Sequence, residues 1–242
     1  MAYASDFLLD RLLYRDGLML VIDKPAGLPV HAGPSSRKKG GGDNLENYFD
    51  ALRFGLPRRP ALAHRLDRDT SGCLALGRHP KALRKLGKLF AGGQVEKTYW
   101  AVTNGVPEKL SGAIDAPLKK VPRGSGWRVE IADGGEDGAQ TARTTYRVVA
   151  QHEGRAFIEA KPKTGRTHQI RVHLAALGAP IIGDPQYGTP YGNRAPEDRD
   201  TPMMLHARRL IIPISKNRDP VAVEAPPPDA MARLLAEIGA AF

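Results

Sequence analysis

The chain has 242 residues, of which 41% are hydrophobic and 26% are charged, so it is long enough and apolar enough to fold around a buried core. Lysine and arginine total 36 against 26 acidic residues, and the net charge of +10 favours a polyanionic partner such as nucleic acid, although a generic basic protein has the same balance. The single cysteine excludes an internal disulfide and a zinc site built from several cysteines.

The hydropathy pattern argues against export and membrane insertion. The segment Met1–Asp16 carries two aspartates and has no long apolar run, so we expect no signal peptide. No run of about 18 apolar residues occurs, so we expect no transmembrane helix. We expect a soluble protein in a reducing, cytoplasmic setting.

The first predicted elements are a strand and a helix separated by a basic loop. The apolar run Leu18–Ile22 predicts a buried strand followed by a turn. The glycine-rich, basic segment Gly33–Asp43 predicts a flexible loop, which either contacts phosphates or is simply solvated. The spacing of the apolar residues predicts a helix that is capped by Asp43 or Asn44 and closed by Gly55, with an apolar face of Leu45, Tyr48, Phe49 and Leu52.

The stretch Ala63–Gly72 is the most unusual part of the chain, because it places two arginines, two carboxylates, a histidine and two hydroxyls between apolar runs. Asp67 lies between Arg65 and Arg68, and neighbouring positive charges favour an ionised carboxylate. Such an aspartate can act as a nucleophile or a base. A turn closed by the hydroxyls and glycine of residues 69–72 explains the same composition, so both interpretations remain open.

The next predicted elements are two strands around a basic helix. Cys73–Leu76 predicts a buried strand, and Lys81–Phe90 predicts a helix with an apolar stripe and a basic face. That face either binds phosphate or is solvated. Gln94–Val102 predicts a strand on which Tyr99, judged from its residues alone, is a half-buried sheet aromatic.

The second half of the chain predicts further strands before a helix. Gly112–Gly138 predicts hairpins and exposed turns, and Thr141–Val149 and Arg155–Lys161 predict strands. Apolar residues at helical spacing after Thr167 predict a helix with Thr167 as its N-cap and Gly178 as its stop. A last helix is predicted over residues 229–238.

Two cations in the first turn of the helix after Thr167 are unexpected. The helix dipole disfavours cations there by about 0.3–1 kcal/mol. His168 and Arg171 therefore predict a nearby anion, either a carboxylate such as Asp67 or a phosphate. His168 and His173 are not expected to bind a metal, because no carboxylate completes a set of ligands.

Four motifs resemble those of one enzyme family. His64–Gly72 resembles the HRLD-x-x-TSG signature of RluA-type RNA pseudouridine synthases, in which the aspartate is the catalytic residue. Lys24–His31, Glu96–Tyr99 and Thr164–His173 resemble three other motifs of that family, in the family's order. The turn-rich segment 179–188 and the strand-like segment 204–213 also match, so the resemblance runs from about Leu18 to Pro227.

The resemblance implies an isomerase that converts uridine to pseudouridine in structured RNA, either ribosomal RNA or tRNA. It implies an α+β fold with a large mixed, mainly antiparallel β-sheet, flanking helices and a central RNA-binding cleft. We expect a single catalytic domain over residues 1–242 without a separate S4-like RNA-binding domain. The isomerisation involves no redox change, so no cofactor is implied, and a monomer is the default.

The resemblance also implies the roles of individual residues. Asp67 would be the catalytic carboxylate, Arg171 would pair with it, and Tyr99 would stack on the uracil and take part in proton transfer. Ile170 would line the pocket, and further RNA contacts are expected at Arg65, His64, Arg166 and His168. Whether Asp67 attacks C1′ or C6, or whether a glycal forms first, stays open at this stage.

Two other functions fit part of the pattern. A catalytically silent RNA-binding protein of the same fold would share the charge but would not need Asp67 among arginines. A nucleoside or glycoside hydrolase would also use a carboxylate at an anomeric carbon, but it usually needs a second one. Asp69 is the only obvious companion for that role.

Overall fold

A computed structural model describes residues 3–32, 42–124, 126–189, 198, 200–215 and 217–240. Most of the basic loop predicted over Gly33–Asp43 lies outside the described residues. The chain forms two compact units: unit 1 comprises residues 1–96 and 207–226, and unit 2 comprises residues 97–206 and 227–242. The single domain expected over residues 1–242 stays a prediction.

Unit 1 is built on an antiparallel sheet. Its strands are β1 (Leu12–Arg15), β2 (Met19–Lys24), β3 (Ala61–Leu62), β4 (Ser71–Gly77), β11 (Leu205–Ile212) and β12 (Val221–Glu224). The strand order is β1-β2-β4-β11, with β3 beside β4 and β12 beside β11. The first two residues of β11 belong to unit 2, so the chain passes from unit 2 into unit 1 within this strand.

One α-helix and one 3-10 helix accompany this sheet. Helix α1 (Pro80–Ala91) begins where proline occupies the first turn and His79 Nδ1 accepts a hydrogen bond from Ala82 N–H at 3.2 Å. The 3-10 helix (Leu45–Leu52) buries its four apolar residues. The core beside α1 contains Met19, Val21, Cys73, Ala75, Leu86, Val95, Leu210, Ile212, Ile214, Val223 and Ala225.

Unit 2 contains four adjacent antiparallel strands and a separate hairpin. The four strands have the order β5 (Glu96–Asn104), β10 (Arg155–Pro162), β9 (Arg143–His152), β6 (Ser111–Asp115). Strands β7 (Leu118–Arg123) and β8 (Gly126–Ile131) form a two-stranded hairpin, and Leu118 also forms an isolated antiparallel bridge with Gln140. Glu153 and Gly154 join β9 to β10 with φ values of 47° and 74°, and positive φ at both central residues suits a tight hairpin turn.

Two α-helices lie in the described part of unit 2. They are α2 (Gln169–Ala176) and α3 (Asp229–Glu237). The core of the unit joins residues of β5, β10 and both helices, including Trp100, Val102, Phe157, Ile158, Ile170, Leu174, Met231 and Leu235. No helix within the described part of the chain has the length and apolar character that crossing a membrane requires.

The predicted α+β class and the mainly antiparallel strand pairing are confirmed, and most predicted elements lie within two residues of their expected limits. Three expectations were wrong. The helix after Asn44 is a 3-10 helix, and the Asn44 side chain does not cap it. The N-cap of α2 is His168 rather than Thr167. Strands β1, β3 and β12 were not predicted, because each has four residues or fewer and a weak pattern.

Candidate functional site

In unit 1 the segment around Asp67 forms a tight turn that leads into β4. Thr70 N–H donates to the Asp67 carbonyl at 3.2 Å, and Gly27 N–H donates to the Arg68 carbonyl at 3.0 Å. Asp67 is half-buried, whereas Thr70 and Ser71 are buried. The residues therefore close a turn, and that turn presents a partly accessible carboxylate, whose catalytic role stays a prediction.

A buried lysine lies beneath this turn. Lys24, at the end of β2, has no exposed surface, and its ammonium group donates to the carbonyls of Pro25, Leu28 and Arg68 at 2.7, 2.8 and 2.8 Å. Burial lowers the pKa of Lys24 to about 7, against the opposing charges of Asp69, Asp67 and Asp23. Lys24 thus ties the turn to β2 and places its amino group close to Asp67.

The other charged residues of the turn have separate partners. Arg68 forms a bidentate pair with Asp69, with both N···O distances at 3.0 Å, and Arg65 is exposed. His64 Nε2 accepts a hydrogen bond from Ala75 N–H at 3.0 Å, and its ring stacks on Phe90 with the centroids 4.1 Å apart. His64 therefore attaches the turn to β4 and α1, and its predicted RNA contact stays a prediction.

Gly72 is required where the turn enters β4. Its φ is 104°, a conformation that residues with a side chain rarely adopt. A Cβ atom at this position would overlap the main chain of Ala207, with the Ala207 nitrogen only 2.9 Å away. The glycine allows β4 and β11 to approach closely directly after the turn that carries Asp67.

In unit 2 the loop before α2 is held together by Gln169. Its amide oxygen accepts from Thr164 Oγ1 at 2.7 Å and from Arg166 N–H at 3.0 Å. Its amide nitrogen donates to the Arg143 carbonyl at 3.0 Å and to Thr144 Oγ1 at 2.9 Å. Buried polar groups require such partners, so Gln169 fixes the loop against β9.

Arg171 is almost fully buried and forms a bidentate ion pair with Asp184. Arg171 Nε donates to Oδ2 at 2.7 Å and Nη2 donates to Oδ1 at 2.8 Å. Asp184 Oδ1 also accepts the backbone N–H groups of Gln186 and Tyr187 at 2.8 and 3.0 Å. The anion predicted near the start of α2 is therefore present within unit 2 as Asp184, and the pairing of Arg171 with Asp67 stays a prediction.

Tyr187 connects this ion pair to His168 and to the hairpin. The Arg171 guanidinium carbon lies 5.0 Å from the centre of the buried Tyr187 ring. The Tyr187 hydroxyl accepts from Val129 N–H at 3.0 Å and is hydrogen-bonded to His168 Nδ1 at 2.9 Å. Burial raises the pKa of Tyr187, so its hydroxyl stays protonated.

Tyr99 lies on β5 opposite Ala160 of β10, half-buried and packed against the core of unit 2. Lys97 on the same strand donates to the Thr164 carbonyl at 3.1 Å, so β5 is tied to the loop before α2. Ile170 is buried in the same core. The catalytic role of Tyr99 and the pocket role of Ile170 stay predictions.

The remaining basic residues near α2 have structural contacts. Arg166 is exposed, and its Nε donates to the Thr141 carbonyl at 3.0 Å. His173 is buried, and its two ring nitrogens are bonded to Thr144 Oγ1 at 2.9 Å and to the Ala116 carbonyl at 3.0 Å. Burial lowers the pKa of His173. The described residues contain no group of three or more histidine, cysteine and acidic side chains arranged to hold a metal ion.

A cavity of about 530 Å³ lies in unit 2, and none of the predicted site residues lines it. Its walls come from β8 and α2 together with neighbouring residues such as Asn104 and Tyr187.

The residues predicted to act on RNA are divided between the units: His64, Arg65 and Asp67 belong to unit 1, and Tyr99, Arg166, His168, Ile170 and Arg171 belong to unit 2.

Sequence reasoning assigned no role to Lys24, Gln169, Asp184 or Tyr187. Lys24 follows shortly after the apolar run 18–22, a position at which a lysine can be buried at the end of a strand. Asp184 and Tyr187 belong to the turn-rich segment 179–188, and the carboxylate in that segment is a possible partner for Arg171. Nothing in the sequence pattern indicates that Gln169 is buried or that it holds the loop before α2.

The comparisons with known proteins agree with the motifs. A family described as RNA pseudouridylate synthase matches residues 18–176. An uncharacterized RNA pseudouridine synthase of Zymomonas mobilis is 46% identical over 227 residues, which cover 93% of this chain and 96% of that protein. Ribosomal large subunit pseudouridine synthase D of Xanthomonas campestris is 34% identical, over 94% of this chain and 69% of that protein.

The solved structures give the same result for the fold. Human RNA pseudouridylate synthase domain containing 4 superimposes with a TM-score of 0.81 at 27% sequence identity. The match covers 98% of this chain and 96% of the human chain. Some curated relatives are longer, and the chain spans 51% of one from Chloroflexus aurantiacus.

Proposed function

The chain belongs to the RNA pseudouridylate synthase family, and we propose that Asp67 is the carboxylate with which it isomerises uridine in RNA. RNA pseudouridine synthases are isomerases, so this protein is an isomerase that modifies RNA. The proposal concerns the residues that carry the reaction and the RNA that is modified.

The chemistry sets the requirements for the site. The bond between N1 and C1′ of uridine breaks, the uracil turns, and a bond between C5 and C1′ forms. The proton on C5 is lost to solvent and N1 gains a proton, so atoms balance without a co-reactant. The protein must supply a carboxylate near C1′ or C6, move a proton at C5, and take the base out of the RNA stack.

The observation that carries the proposal is the placement of Asp67 on a turn fixed over Lys24. Three hydrogen bonds hold the lysine, and one of them ends on the carbonyl next to Asp67. A half-buried carboxylate on a turn fixed by these hydrogen bonds is preorganised for attack or for charge stabilisation. Asp69, the other carboxylate of the turn, is engaged by Arg68.

The roles of Arg171 and Tyr99 in this proposal come from the family's motifs. Arg171 would orient the catalytic carboxylate, and its own orientation is fixed by Asp184. Tyr99 would stack on the uracil and move a proton through its hydroxyl. Ile170 would form a wall of the pocket, and Arg65, His64, Arg166 and His168 would contact the RNA.

We propose the large-subunit ribosomal RNA as the substrate to test first, with tRNA second. Two relatives, from Xanthomonas campestris and Nitrosomonas europaea, are named ribosomal large subunit pseudouridine synthase D and are both 34% identical to this chain. A monomeric protein in the cytoplasm is part of the same proposal, and light scattering coupled to size-exclusion chromatography tests the oligomeric state.

The experiment uses RNA from cells that lack this protein. Total RNA is incubated with pure wild-type protein or with the Asp67→Asn variant, and pseudouridines are mapped by carbodiimide-dependent reverse-transcription stops. We expect new stops with wild type only, at positions that identify the substrate. New stops with Asp67→Asn would remove Asp67 from the mechanism, and RNA binding without any new stop would favour the catalytically silent protein.

A further inference from the structure

The hairpin formed by β7 and β8 exposes a tryptophan. The side chain of Trp127 is 39% exposed, although aromatic side chains are usually covered in a folded domain. Trp127 lies opposite Pro122, and Lys120 lies opposite Val129 two positions further along. Residues opposite each other on antiparallel strands share a face, so Trp127 and Lys120 lie on the same face of the hairpin.

Two basic residues are in contact with the Trp127 ring. The ammonium group of the exposed Lys120 lies 4.0 Å from the ring centre, as in a cation–π contact. The His168 ring stacks on Trp127 with the centroids 5.2 Å apart and the planes 26° apart. Among the described residues the ion pairs of this hairpin are formed by Lys119 with Glu136 and by Arg128 with Glu130, so the flexible side chain of Lys120 can leave the ring without losing a carboxylate.

The backbone of His168 has a left-handed conformation, which is unfavourable for a histidine. Its φ is 55°, in the left-handed region, which is unfavourable for a residue with a Cβ atom. Its side chain does not cap α2, and instead its ring contacts Trp127 and hydrogen-bonds to the Tyr187 hydroxyl. Backbone strain of this kind is often found at functional sites, where the surrounding structure maintains it.

This arrangement links the exposed tryptophan to the buried Arg171–Asp184 ion pair of unit 2. Tyr187 bonds to His168 and to the backbone of β8, and its ring lies next to the guanidinium group of Arg171. The hairpin carries Lys119, Lys120, Arg123 and Arg128 against one acidic residue, Glu130. An aromatic surface within a basic hairpin is the combination that recognises unpaired nucleotides, because bases stack on the ring and lysines neutralise phosphates.

We propose that Trp127, supported by His168, is a stacking platform for an unpaired base of the RNA substrate, and that Lys120 moves from the ring to the phosphate of that nucleotide. The inference rests on the proposed function, because it takes RNA as the substrate. It adds a recognition site on the hairpin that is separate from Asp67 and determines which RNA loops are accepted. No step of the isomerisation passes through Trp127.

The first test measures kinetics on an unmodified transcript that contains the uridine modified by the wild-type protein. Trp127→Ala should raise KM by roughly 5- to 150-fold, the range given by the energy of one base stacked on an aromatic side chain, and kcat should change much less. Trp127→Phe should keep most of the affinity, because a phenyl ring still stacks. Val149→Ala, at a residue that is 38% exposed on β9, is the matched control and should leave KM unchanged.

The second test follows the tryptophan directly. The chain has two tryptophans, so in a Trp100→Phe protein Trp127 alone reports on binding. We expect the transcript to quench its fluorescence, and Lys120→Gln should reduce the slope of log Kd against log salt by about 1. Thermal unfolding of each variant checks that the hairpin remains folded.

The outcomes separate the two proposals. If the wild-type protein forms no pseudouridine, the proposed function fails. If the wild-type protein is active but Trp127→Ala has the same KM as Val149→Ala, the inference alone is overturned. An unquenched Trp127 in the presence of saturating transcript would also overturn it.

Discussion

Arg171 and Asp184 form a buried bidentate ion pair, in which Nε–Oδ2 and Nη2–Oδ1 are 2.7 and 2.8 Å apart and the side chains are 4% and 0% exposed. The carboxylate also accepts two backbone N–H groups of its own turn. The arginine that the family motif assigns to catalysis is thus fixed from behind by a residue 13 positions later in the chain. The ion pair fixes the orientation of the Arg171 guanidinium group before any RNA binds.

Asp184→Asn should destabilise the protein by about 3–5 kcal/mol, because it leaves the Arg171 charge buried without its counter-ion. The measurement is a urea unfolding curve. The matched control is Asp115→Asn, which breaks the exposed pair with Arg143 in the same unit, at side-chain exposures of 66% and 56%. That change should cost less than about 1 kcal/mol. Equal losses for the two variants would contradict the structural role of Asp184.

Lys24 should make stability depend on pH. Burial lowers its pKa to about 7, whereas a lysine in an unfolded chain has a pKa of about 10.4. Between these pH values the unfolded chain binds a proton that the folded protein does not, so the free energy of unfolding due to Lys24 rises with pH. Below about pH 7 both states are protonated, and this contribution is at its lowest.

The measurement compares wild type with Lys24→Met in urea from pH 6 to about pH 10. The stability difference between wild type and variant should grow with pH, in favour of wild type, by up to a few kcal/mol at about 1.4 kcal/mol per unit of pKa difference. Lys85→Met, at an exposed lysine of α1, should show no such trend. A constant difference for Lys24→Met would mean that the lysine titrates normally.

Gly72→Ala should destabilise the protein more than Gly27→Ala. Both glycines have positive φ, 104° and 84°, so each change introduces backbone strain of about 1–2 kcal/mol. Only at Gly72 would the new Cβ also overlap the Ala207 backbone, whereas nothing lies within 4 Å at Gly27. Thermal unfolding measures both. A Gly72→Ala loss no larger than that of Gly27→Ala would show that β4 and β11 can separate at little cost.

Tyr99→Phe should reduce turnover by about 100-fold or more if the hydroxyl moves a proton, and Tyr99→Leu should lose additional activity because stacking is also removed. The control is Tyr146→Phe, which removes a buried hydroxyl of unit 2 that donates to the Lys109 carbonyl at 3.0 Å. Single-turnover rates at saturating RNA are the measurement. Near wild-type rates for both Tyr99 variants would make Tyr99 a packing residue only.

The elements with strong periodic patterns could be predicted from the sequence. The apolar runs that became β2 and β4 and the helical stripe of α1 were expected close to their observed limits, because burial of apolar side chains determines them. The N-cap of α2 was not predicted correctly. Thr167 is the better capping residue by type, but the N-cap is His168, whose ring contacts Trp127 and Tyr187 instead of capping the helix.

Part of the candidate site depends on contacts that sequence patterns do not report. Asp67 stood out because its neighbours are charged, and Arg171 because a cation at the start of a helix needs an anion. The identity of that anion, Asp184, depends on how a distant turn folds back. Lys24 resembled an ordinary strand end, and its burial follows from three carbonyls that converge only in the folded protein.

The central claim is that Asp67 carries the isomerisation, and the release of tritium from RNA labelled at C5 of uridine tests it most directly, because that hydrogen leaves when the bond between C5 and C1′ forms. We expect tritium release with wild-type protein and with Asp69→Asn, and none with Asp67→Asn, although the Asp67→Asn protein should still bind the RNA. Release by Asp67→Asn at a rate near that of wild type would contradict the account.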